Sequence, residues 1–162
     1  MKRSLCLVLC LILLLSFAAC KEKGSVYSCE EMKITLPDGF VEVQTVRRGT
    51  SFESEYMSIK IVRESKSVVE DVAGYEGVTL EAYADLVLKQ NRLDLPLTKK
   101  GSCLTYTYTA FDEEVSQNFT YYVTVHKSEN AYWLVQFIVR DAFYSDYQAE
   151  IATYLASITF DE

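Results

Sequence analysis

The side chains with reactive chemistry in this chain are few: one histidine and five cysteines. A histidine acting as general base needs an orienting partner and a nucleophile within hydrogen-bond reach. Around His126 the sequence offers Ser102, Thr124 and Ser128, which form no such constellation, so His126 reads as a strand-end structural residue. One histidine with the isolated Cys29 and Cys103 cannot close a four-ligand zinc site. The acidic groups Glu70-Asp71 and Asp112-Glu113-Glu114 lack the spaced oxygen ligands and glycine of a calcium loop. They read as solvated, charged loops, which also discourage edge pairing. No glycine-rich phosphate loop is present, and Asn118-Phe119-Thr120 is a sequon of no evident use. Neither an enzyme nor a cofactor is expected from these residues.

The chemistry lies instead at the N-terminus. Lys2 and Arg3 precede an apolar run from Leu5 to Leu15, and Phe17-Ala18-Ala19 leads into Cys20. A basic start, an apolar middle and small residues at the cut are the layout of a secretory signal. With the cysteine directly after Ala18-Ala19, the segment resembles the lipobox of bacterial lipoproteins. Phe17 departs from the leucine usual three places ahead. The resemblance implies removal of residues 1–19 and lipidation of Cys20, with palmitate-type acyl chains holding the domain on the outer face of a bacterial cell membrane. The apolar run is shorter than the ~20 residues a spanning helix needs. Cys6 and Cys10 would leave with the signal. At least two acyl chains make attachment stable, at ~0.8 kcal/mol per buried methylene. Residues 20–29 are expected to form a tether of at most ~30 Å, and residues 30–162 a single domain.

The chain carries a formal net charge of −7, which loss of Lys2 and Arg3 would deepen. An acidic surface argues against nucleic acid and against adhesion to anionic lipid. Twelve tyrosines with only six glycines and two prolines suit a compact, β-rich domain. Export permits a Cys29–Cys103 disulfide. Two separate thiols are the other reading, and spacing alone does not choose between them.

Hydrophobic alternation supplies the frame. Met32 to Leu36 reads as a strand, Pro37-Asp38-Gly39 as a turn, and Phe40 to Val43 as a second strand. Arg47 to Thr50 reads as another turn. Phe52 to Arg63 is expected as one strand presenting Met57, Ile59 and Ile61 on one face, followed by a loop from Glu64 to Val78. Thr79 to Asn91 reads as a helix capped by Thr79, with Leu80, Tyr83, Val87 and Leu88 as its apolar stripe. A three-stranded antiparallel meander follows. Its first strand starts at Cys103, its second runs from Phe119 to His126, and Ala131 to Arg140 is a central strand covered on both faces. Ser145 and Gln148 suggest a capping box opening a terminal helix to Ser157. Tyr106, Tyr108, Tyr121, Tyr122, Tyr132 and Trp133 crowd the meander. They read mainly as sheet core. The other reading is an aromatic ligand platform, with Tyr122 as its exposed ring.

These elements make an α+β domain: an antiparallel sheet with two main helices packed on it. The order resembles the PsbP-like fold, through the strand running into Leu36-Pro37-Asp38-Gly39-Phe40, the helix around Leu80 to Gln90, the meander, and the ending Ser157-Ile158-Thr159-Phe160. That fold hosts mostly binding and accessory roles, and a fold does not fix a function. The leading expectation is a non-enzymatic, membrane-anchored binding or accessory domain whose partner is a protein or another envelope component. A small-ligand carrier with a pocket between sheet and helices is the alternative, and a hydrolase built on His126 the most remote.

Overall fold

The structure is a computed structural model that describes residues 24–44 and 49–161. Alternation decides its first well-packed strand. In β2 (Met32–Leu36), Met32, Ile34 and Leu36 point inward and are fully buried, while Lys33 and Thr35 face outward. β2 pairs antiparallel with β1 (Ser25–Cys29) on one side and with the short β10 (Thr159–Phe160) on the other. Ser25–Cys29, expected as tether, is therefore sheet. The Tyr27 ring packs 4.8 Å from that of Phe52 and its hydroxyl donates to the Phe40 carbonyl, which draws this stretch onto the domain.

The second sheet holds seven antiparallel strands. Their spatial order is β3 (Val41–Gln44), β4 (Thr50–Glu53), β5 (Met57–Ser65), β9 (Ala131–Arg140), β8 (Gln117–Lys127), β7 (Cys103–Asp112) and β6 (Thr98–Lys100). β9 is central, and its unbroken apolar run has a physical reason. Trp133, Val135, Phe137 and Val139 enter one core, against β2, Phe52, Ile59 and Ile61; Tyr132 and Leu134 enter the other. Each large side chain buried this completely contributes about 1.5–3 kcal/mol.

The expected single strand from Phe52 to Arg63 is two. A turn at Ser54, whose amide donates to the Met57 carbonyl, reverses the chain between β4 and β5. The reversal sets Phe52 opposite Ile59, so both enter the same core. Gly49 sits where the chain enters β4 with φ of +126°, and a Cβ there would lie 2.4 Å from the Ile61 carbonyl oxygen. Only glycine fits this approach. Part of the expected turn from Arg47 lies outside the described residues.

The expected loop after Glu64 contains the helix α1 (Lys66–Ala73). Its three valines are weak helix formers, but Val69 is buried and Gly74 closes the helix in the left-handed conformation with φ of +78°. Its amide donates to the Glu70 carbonyl, and such a glycine is a common helix end. α2 (Leu80–Gln90) matches expectation: Thr79 Oγ1 accepts the Ala82 amide, and Tyr83, Ala84, Val87 and Leu88 are buried. α3 (Tyr144–Ala156) lacks the expected capping box. A 3₁₀ turn at Asp141–Phe143 runs directly into it, so Ser145 is already inside the helix and caps nothing. α1 and α2 cover one face of the large sheet. The small sheet and α3 cover the other.

Candidate functional site

Of the residues singled out in the sequence, Cys20 lies outside the described residues. Cys29 and Cys103 are free thiols, and each is engaged elsewhere. Cys29 Sγ lies 3.1 Å from Thr50 Oγ1, and Cys103 Sγ donates to the Lys100 carbonyl. Cys29 belongs to the small sheet and Cys103 to the far side of the large one, so the disulfide reading is not what the fold adopts. Burial raises both thiols above their ordinary pKa, which keeps them protonated and unreactive.

His126 is 6% exposed and faces the core between the two sheets, 5.7 Å from the Phe160 ring. Its Nε2 lies 2.9 Å from Thr124 Oγ1. Burial pushes the imidazole down to about 4, so it is neutral near pH 7 and sealed from solutes. Among the described residues no group of three or more His, Cys, Asp or Glu side chains could hold a metal ion. Among them, too, no helix is long and apolar enough to cross a membrane. Asp112 opens the β7–β8 loop as read, its Oδ1 accepting the amides of Glu114 and Val115. Glu70 and Asp71 are not in a loop but on α1, where Glu70 Oε1 accepts the Gly77 amide.

The tyrosines resolve mostly as core. Tyr132 and Trp133 are fully buried. Tyr108 and Tyr121 stack 4.7 Å apart across β7 and β8, half-buried beside the α2 core. Tyr122 is not the exposed ring expected. It packs towards Phe137, and Lys100 Nζ donates to its hydroxyl while lying 5.5 Å from the ring centroid.

The concave surface lies elsewhere. A groove of about 1060 Å³ opens between the β2–β3 turn, the β4–β5 turn and the outer side of α3. Leu36, Phe40, Met57 and Tyr154 form its apolar floor, all buried. Tyr56, 48% exposed, stacks on Tyr147 at 6.0 Å and 28° along the rim. Asp38, Glu55 and Glu150 are the carboxylic acids of the lining, and among the described residues no Lys, Arg or His joins them. Each wall is rigid for its own reason. The Pro37-Asp38-Gly39 turn is closed by Gly39 with φ of +107°, Ser54 brackets Met57 with two hydrogen bonds, and Ser157 ties the end of α3 to Thr35 of β2. The turn residues were read in the sequence as punctuation. Nothing there showed that two turns distant in sequence meet one helix.

Fold and groove together define an α+β scaffold with one face hollowed beside α3. No protein-family model matches the chain, and no curated protein sequence matches it. Solved structures do. A crystal structure from Bacteroides thetaiotaomicron VPI-5482 superposes with a TM-score of 0.61 at 14% identity, covering 86% of this chain and 49% of the other. The chain thus spans about half the length of that protein. The solution structure of cyanobacterial PsbP (CyanoP) from Synechocystis sp. PCC 6803 aligns with a TM-score of 0.49 at 9% identity, over 88% of this chain and 95% of that one. At 14% identity the similarity to the first of these speaks to the fold and not to the function.

Proposed function

We propose that this chain is a membrane-anchored, extracytoplasmic lipoprotein whose folded part is a non-enzymatic binding domain, with the groove beside α3 as its recognition surface. The groove carries the reading. It is concave, apolar at its floor and aromatic at its rim, the usual make-up of a binding site, whereas the one imidazole is sealed in the core. The anchor rests on residues 1–20, in which Cys20 follows Ala18-Ala19. A small-ligand carrier is the second reading, favoured by the groove's volume and its position between sheet and helix.

The anchor is tested by intact mass of protein purified from native membranes, beside a Cys20→Ala variant. The expected wild type lacks residues 1–19 and carries a diacylglyceryl mass absent from the variant; a released, unlipidated chain overturns it. The groove is tested in the same membranes with a photo-crosslinking residue at position 56 or, as control, at Val115 on the exposed β7–β8 loop. Discrete adducts from position 56 alone are expected, and equal labelling from both refutes the assignment. A small molecule co-purifying in native mass spectra, in place of a protein adduct, would select the carrier reading.

A further inference from the structure

We infer that the groove takes a cationic, donor-rich ligand, and specifically an extended basic segment of a partner polypeptide; this deepens the binding-domain reading and rests on it. The inference comes from counting donors and acceptors. Four hydroxyls of the lining are spent internally: Ser54 donates to Met57 O, Thr153 to Ala149 O, Tyr154 to Glu150 and Ser157 to Tyr154 O. The Tyr56 hydroxyl is held by Glu55, whose charge raises its pKa. The charged groups that the groove presents outward, among the described residues, are the carboxylates of Asp38, Glu55 and Glu150, and carboxylates only accept. A neutral glycan needs donors as well as acceptors from its site, and an anion would meet three like charges. Ammonium and guanidinium groups only donate. They are also attracted to the face of an aromatic ring, and the Tyr56–Tyr147 pair flanks the carboxylates. The groove is open, and its lining is drawn from the β2–β3 turn, the β4–β5 turn and α3 as far as Ser157. Its volume of about 1060 Å³ has room for several residues of a chain, far more than a compact cation fills. The apolar floor accommodates the aliphatic stems of lysine and arginine, which bury readily while their heads stay polar.

The test uses the full lipidated chain in phosphatidylcholine nanodiscs, with labelled penta-lysine, penta-glutamate and maltopentaose as probes. Penta-lysine alone is expected to bind. An Asp38→Asn/Glu55→Gln/Glu150→Gln variant should weaken it by about tenfold or more, and Tyr56→Ala by about threefold. All four side chains are exposed, so these variants should fold, which thermal melting checks. The control Glu113→Gln/Glu114→Gln/Glu129→Gln removes equal charge from exposed sites elsewhere and should leave binding unchanged. Equal weakening by the two triple variants would mean general attraction to an acidic surface and overturn the inference. Binding of maltopentaose or penta-glutamate, or of no probe, overturns it too. If position 56 still crosslinks in native membranes, only the ligand class has failed; if it does not, the binding-groove reading falls with it.

Discussion

Acid should unfold this protein partly through one side chain. His126 is buried with its pKa pushed down to about 4, against 6.5 when solvated. Above pH 6.5 both folded and unfolded forms hold it neutral and its contribution to stability is complete. Between pH 6.5 and about 4 the unfolded chain takes up a proton that the folded one refuses, so stability falls as pH falls. The linkage relation gives a loss of about 2 kcal/mol at pH 5 and about 3 kcal/mol at pH 4. Glu31 adds an acid loss of its own. Burial raises its carboxyl, but the hydrogen bonds and charge of Arg63 outweigh this, leaving it below its ordinary value. That loss is common to wild type and a His126→Gln variant, and cancels in their difference. Urea unfolding followed by fluorescence of Trp133, the single tryptophan and fully buried, reports the core directly. Between pH 7 and pH 5 wild type should lose about 2 kcal/mol more than the variant. Because the chain has one histidine, its NMR titration is unambiguous. Equal losses in the two proteins, or an imidazole titrating near 6.5, would refute the buried placement.

Three further outcomes follow from the packing. Gly49→Ala should lower stability by more than ~1 kcal/mol in urea unfolding, since its Cβ would collide with the Ile61 carbonyl at a left-handed φ. Tyr83→Phe should be neutral or stabilise by up to ~1 kcal/mol, because among the described residues the buried Tyr83 hydroxyl makes no close hydrogen bond, with the Glu64 carboxylate its charged neighbour; a loss of ~1 kcal/mol or more would show that Glu64 accepts from it. The melting temperature should be the same with and without dithiothreitol, as Cys29 and Cys103 are free; a lower value in reductant would restore the bridge.

Local patterns were readable where one residue type settles one geometry. Met32, Ile34 and Leu36 alternate because a single face is buried, and Thr79 announces α2 because its hydroxyl caps it. The β9 run from Ala131 to Val139 gave its own position, since only a strand covered on both sides tolerates such apolarity. Misreadings arose where tertiary contact outweighed propensity. Val68, Val69 and Val72 argue against a helix, yet Val69 packing and the Gly74 cap make α1. Ser145 and Gln148 imitate a capping box, but the preceding 3₁₀ turn decides where α3 starts. The groove was the least legible feature. Asp38, Glu55 and Glu150 are unremarkable acids until the β2–β3 and β4–β5 turns are brought to α3, and that meeting depends on pairings between residues far apart in the chain.

The early start of β1 changes what an anchor at Cys20 would mean. A tether of residues 20–29 would let the domain range freely above a bilayer, whereas β1 already runs from Ser25 and Gly24 itself lines the groove. Three residues lie between Cys20 and Gly24, so four steps of extended chain span at most ~14 Å. With the lipidation proposed, one end of the groove is held within that distance of the headgroups, and its occupant must lie in the membrane-proximal layer. A flexible Gly/Ser insert of about twenty residues between Lys23 and Gly24 adds roughly 25 Å of root-mean-square reach. The insert leaves the groove intact, so penta-lysine should bind as before. Crosslinks from position 56 to a membrane-proximal partner should fall several-fold, because the local concentration of two tethered groups drops steeply once the linker outgrows the span. Unchanged crosslinking would show that the partner reaches the groove from solution, and that the short tether does not govern the encounter.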